Sequence, residues 1–92
     1  MNHYGAQVMR HWQAERLLEF QELDQPREYF TQLGEEIAEQ VEIRARSLAG
    51  SAPAEPEGYL ARLQRLNSAR LEAEAEVVRE YLLQESEQEP TP

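Results

Sequence analysis

YLARLQRLNSARLEAEAEVVREYLL, residues 59–83, is the stretch whose reading decides the fold. No glycine or proline interrupts the chain from Tyr59 to Glu89, and the apolar residues recur near the helical period. Tyr59, Leu60, Leu63, Leu66, Ala69, Ala73, Val77 and Tyr81 form a stripe, flanked by Leu71, Val78 and Leu82. At about 1.5 Å of rise per residue, such a helix is roughly 38 Å long. A lone helix cannot bury a stripe of this length, so the upstream residues read as what it packs against. Asn67 and Arg70 put polar groups in or beside the middle of the stripe.

Two further helices are predicted upstream. Val8, Met9, Trp12, Arg16, Leu17, Phe20 and Leu23 give an amphipathic helix over 6–23, which carries the single Trp and is expected to dock on the long helix. Asp24 then reads as an N-cap, with Pro26 in the first turn of the next helix. In that helix, 26–49, Phe30, Leu33, Ile37, Val41, Ala45 and Leu48 alternate steps of three and four and keep one seam. Gly34 lies beside the seam, where glycine costs roughly 1 kcal/mol against alanine, and is read as a point of close backbone approach. Gly50 is the expected C-cap, and the glycine- and proline-rich segment 50–58 a loop. The third helix is expected over 56–84, with Pro56 in its first turn, and 84–92 as a flexible acidic tail. The fold class is therefore all-α: one small three-helix domain over 1–83 with a long C-terminal helix.

Composition removes many functions. The formal charge is −9, and all nine cations are arginine. Nucleic acid is disfavoured as a partner unless the arginines segregate to one face. The chain has no cysteine, so thiol nucleophiles, disulfides and thiolate metal sites are excluded. The opening MNHYGAQVMRHW has no signal-peptide pattern and no apolar run is long enough to span a bilayer, so a cytoplasmic protein is expected. His3 and His11 lie near the N-terminus and Glu-x-x-His does not occur, which argues against a carboxylate-bridged di-metal bundle. Glu35, Glu36, Glu39 and Glu42, like Glu72, Glu74, Glu76 and Glu80, read as solvated helix faces. No cofactor, no metal and no catalytic residue is expected.

The long helix also has a charge gradient. Arg62, Arg65 and Arg70 precede Glu72, Glu74, Glu76 and Glu80, against the preference of the helix dipole. An antiparallel neighbour, in the same chain or a second copy, would set the two halves against each other. Arg70 is expected to meet a carboxylate such as Glu15 or Glu39, or to reach water from the stripe edge. The residues expected to carry an interaction are Leu63, Leu66, Asn67, Arg70, Val77 and Tyr81.

Tyr4-Gly5 followed by Arg10 and Arg16, the stretch YFTQLGEEIAEQVE at 29–42, and RLNSARLEAEAEVVREYLL at 65–83 together resemble the transposon-encoded TnpV family. The second is similar to that family's Tyr-Leu-x-x-Ile-Asp-x-x-Ala-x-x-Gln-Val core. In the third, Arg65, Asn67, Arg70, Ala73, Glu74 and Val77 occupy the places of its Arg-Met-Asn-x-x-Arg-x-x-Ala-Glu-Glu-x-Val pattern. The chain departs from the family in lacking its lysines and in the loop at 50–58. The resemblance implies an accessory protein of a mobile genetic element and carries no catalytic or binding role to any residue. The expected function is a non-enzymatic helical interaction protein with a protein partner or a homodimer along the stripe. The alternatives are an acidic mimic of nucleic acid that inhibits a DNA- or RNA-binding protein, and a small DNA-binding regulator.

Overall fold

The computed structural model describes residues 1–50 and 56–87, the last four of these by their backbone alone. It contains α1 (His3–Glu15), α2 (Leu17–Glu22), α3 (Pro26–Ala49) and α4 (Tyr59–Glu87), and no strand among the described residues. The all-α reading holds, but the predicted helix over 6–23 is two helices.

The N-terminus explains the earlier start. Asn2 caps α1, its side-chain oxygen accepting from the Gly5 N–H at 3.0 Å. The same amide donates to the Gly34 carbonyl on α3 at 2.9 Å. α1 then breaks at Arg16, whose φ of −138° and ψ of 49° leave the helical region. No glycine or proline marks this break. Arg16 instead places its guanidinium 4.4 Å from the centre of the Trp12 ring and pairs with Glu19.

α3 begins and ends on local signals. Pro26 sits in its first turn, with Gln25 rather than Asp24 at the cap position and no side-chain cap bond. Gly50 stops it at φ +71°, its N–H bonding the Arg46 and Ser47 carbonyls at 3.2 Å. Pro56 precedes α4 instead of entering it. The predicted loop is described only at 50 and 56–58, none of them helical; residues 51–55 lie outside the described part. Of the expected tail, residues 84–87 continue α4 and 88–92 lie outside the described part.

α3 and α4 form an antiparallel hairpin, and α1 lies across one end of it. Phe30, Ile37, Val41, Val8 and Val77 are fully buried, each contributing about 1.5–3 kcal/mol of transfer free energy. Gly5 and Gly34 make the crossing of α1 over α3 possible. A Cβ on Gly5 would lie 2.3 Å from the Phe30 carbonyl oxygen; one on Gly34 would lie 2.8 Å from the Gly5 nitrogen. Both glycines let backbone meet backbone, as read for Gly34 from the sequence.

Trp12 docks on α3 rather than on the long helix. Its ring meets Phe30 edge-on at 5.4 Å and Tyr29 at 5.6 Å, and Phe20 of α2 stacks on Phe30 at 6.0 Å. This aromatic cluster closes one end of the hairpin.

Candidate functional site

The stripe of α4 is covered along only half its length. Ala69, Ala73, Val77 and Val78 are buried, and Tyr81 and Leu82 pack at the core's edge. One to three turns earlier the same arc is open: Tyr59 is 76% exposed, Leu60 72%, Leu63 38% and Leu66 39%. At 3.6 residues per turn these four side chains fall within about 120° of the helix circumference. Leu71, on the edge of that arc, is 69% exposed. On α3 the seam behaves the same way. Ile37 and Val41 are buried, whereas Leu48 near the end is 38% exposed.

The causes are the end of α3 at Ala49, which Arg65 faces so that 59–63 run past it, and the placement of α1. Its contacts with the hairpin run from Gly34 to Phe30 on α3 and reach α4 around Glu74 and Val78, where His3, Tyr4, Gln7, Glu74, Ala75, Val78, Arg79 and Leu82 line a groove of about 340 Å³. Tyr4 hydrogen-bonds Glu74 there, and burial followed by the Glu74 charge pushes its phenol above the usual range. Past this point the hairpin carries no third helix among the described residues.

Electrostatic ties set the register of the hairpin. Arg44 on α3 donates to Glu76 at 2.9 Å and Glu80 at 3.0 Å, and Arg70 on α4 meets Glu42 at 2.6 Å. The antiparallel neighbour that opposes the α4 charge gradient is thus α3. Arg70 pairs with Glu42, not Glu15 or Glu39, and its hydrogen bond holds the Glu42 carboxyl below its ordinary value. Arg65 reaches out of α4 to donate to the Ala49 carbonyl at 2.7 Å, satisfying an orphan of the last turn of α3, and clasps Glu57 with its other nitrogens.

The six residues expected to carry an interaction divide accordingly. Val77 is in the core, and Tyr81 packs against it with its hydroxyl near the Glu36 carboxylate. Burial, followed by Glu36 and the other nearby carboxylates, pushes the Tyr81 phenol up to about 12. Both therefore work within the chain. Leu63 and Leu66 are half-exposed, Asn67 is exposed, and Arg70 is a surface ion pair. Tyr59, Leu60, Leu71 and Leu48 join them at the open end. Their periodicity was visible in the sequence, but nothing in it says which end of a uniform stripe α1 will cover.

Among the described residues no group of three His, Cys, Asp or Glu side chains could hold a metal ion, and no helix is long and apolar enough to cross a membrane. Arg16 lies beside Trp12 at the Phe30 end of α3, whereas Arg65 sits at the Ala49 end, roughly 28 Å away along the helix. Arg16, at the end of α1, and Arg65, near the start of α4, thus lie at opposite ends of α3. No protein-family model, curated protein sequence or solved structure matches the chain.

Proposed function

We propose that this chain is a non-enzymatic interaction protein that acts through helix–helix contacts at the open end of the α3–α4 hairpin. The observation that carries the reading is the arc Tyr59, Leu60, Leu63 and Leu66, apolar and exposed where its continuation at Ala73 and Val77 is buried. Exposed apolar patches of this kind on small proteins mark contact surfaces. The likeness of 29–42 and 65–83 to the TnpV pattern supports a place among accessory proteins of mobile genetic elements, and the absence of cysteine suits a reducing cytoplasm.

A photo-crosslinking residue placed at Leu63 tests this in cells of the native host. The expected result is a discrete adduct from position 63 and none from position 36, on the acidic face of α3. Adducts from position 36 alone would overturn the reading and favour the acidic mimic, whose surface would be the carboxylate faces.

A further inference from the structure

We infer that the occupant of the open end is a second copy of this chain, docked about a two-fold axis so that the open starts of two α4 helices pack against each other beside the ends of α3. This rests on the reading of the open end as an interaction surface and names what fills it.

Area is the first argument. Tyr59, Leu60, Leu63, Leu66, Leu71 and Leu48 are between 38% and 76% exposed. Taking roughly 200 Å² for a fully exposed side chain of this size, they present on the order of 600–700 Å². That exceeds the largest apolar patch of most monomers, about 300–600 Å², and approaches the about 800 Å² that each partner contributes to a standard interface. The fold is also thin, 17 Å along its shortest axis, the depth of about two packed helix layers. The segment of α4 that runs past Ala49 has no helix beside it among the described residues, and the same segment of a second copy supplies one.

Charge is the second argument. Residues 43–72 hold five of the nine arginines and three of the eighteen acids, a net of +2, which leaves −11 for the rest of the chain. Two copies approaching by the carboxylate-rich faces of α3 and of the second half of α4 bring strongly negative surfaces together. The open end is where they meet with little net repulsion. Its arginines do not suit it to an anionic polymer, because Arg44, Arg65 and Arg70 are already engaged by Glu76 and Glu80, Glu57, and Glu42. Arg46 donates to the Glu42 carbonyl of its own helix, so what remains for a ligand is the leucines beside Arg62.

Asn67 supplies the third argument. It is exposed and interrupts the row Leu60, Leu63, Leu71 near its middle. An asparagine amide both donates and accepts, so two of them related by a two-fold axis satisfy each other. A polar residue at such a point in an apolar seam fixes register and partner number. The axis therefore passes close to Asn67.

Sedimentation equilibrium of the full chain from micromolar to millimolar concentration tests the inference. The expected mass rises to twice that of the chain and stops there. Leu63→Glu should raise the dissociation constant at least about 100-fold, whereas Leu18→Glu, on the exposed surface of α2, leaves it unchanged. Should Leu63→Glu lose helicity, Leu60→Glu replaces it at a more exposed position. Because the chain has no cysteine, Asn67→Cys gives a clean second readout. Oxidation should link it into a disulfide dimer, and Glu36→Cys should stay monomeric. A monomer at millimolar concentration, a mass that grows past two without a plateau, or equal sensitivity at Leu18 overturns the inference. If a monomeric chain still crosslinks from position 63 in cells, the occupant is a foreign protein, and the interaction reading stands without the second copy.

Discussion

The two ends of the α3–α4 hairpin are built from the same helices and the same apolar period, yet one is closed and the other open. At the closed end α1 crosses on Gly5 and Gly34, and an aromatic cluster around Phe30 seals the core. At the open end Leu48, Leu63 and Leu66 hold equivalent places in the pattern and face solvent. The difference shows that periodicity determines which face of a helix is apolar, whereas a third element determines how much of that face is spent within the chain.

Paired substitutions along one seam separate the ends most strongly. Ile37→Ala at the closed end should cost about 3–4 kcal/mol, because it removes a fully buried side chain and leaves a cavity. Leu48→Ala, in the same seam of α3, should cost under about 1 kcal/mol in dilute chemical denaturation. Equal losses would mean that the open end is already covered within one chain.

Gly34→Ala should come next, at about 2–3 kcal/mol, since its Cβ would meet Gly5 backbone that cannot move without lifting α1. The gain in helix propensity offsets only about 1 kcal/mol of the clash. A thermal midpoint lowered by about 4–8 °C for each kcal/mol would check it. Asn2→Ala is smaller, about 1–2 kcal/mol, losing the cap of α1 and the bond to the Gly34 carbonyl together. It should speed amide exchange in α1 while sparing the α3–α4 register bonds, which would confine the damage to the closed end.

The smallest effect is a pH dependence. The Tyr81 phenol is raised to about 12 in the folded chain, above the ordinary value of 10.0. Its contribution to stability is therefore complete below pH 10 and is lost as pH rises from there through about 12, because the unfolded chain ionises first. Stability measured across this window should decline less steeply in Tyr81→Phe. An unchanged slope would show that burial and the nearby carboxylates do not hold the phenol protonated in the folded chain.

Legibility from sequence followed the range of the signal. The span of α3 was readable because Pro26 and Gly50 act within one turn of themselves. The seam of α3 and the buried Ala73 and Val77 were readable from spacing alone. The break at Arg16 was not, since its cause is a contact with Trp12 and Glu19 rather than a residue with restricted backbone. Asn2 carried the usual N-cap chemistry, and Tyr4, Val8 and Trp12 the helical spacing, but Gly5 between them read as the end of an entry segment and moved the expected start to Ala6. The partner of Arg70 could be read as a carboxylate but not as Glu42, because that choice depends on hairpin register. The open end was hidden for the opposite reason: 59–66 and 73–82 look alike, and only the hairpin register, which ends α3 opposite Arg65, and the position of α1 tell them apart.

The Asn2–Gly5–Gly34 knot has a consequence for ancestry. Most of this chain is Ala, Glu, Arg and Leu at helical spacing, a vocabulary that unrelated helices share and exchange freely. At the crossing, however, one amide serves two helices and two positions have no room for a side chain. A true relative would be recognised by an asparagine three residues before a glycine, answered by a lone glycine in the second long helix. A side chain at either glycine would meet backbone, which no substitution nearby can reshape.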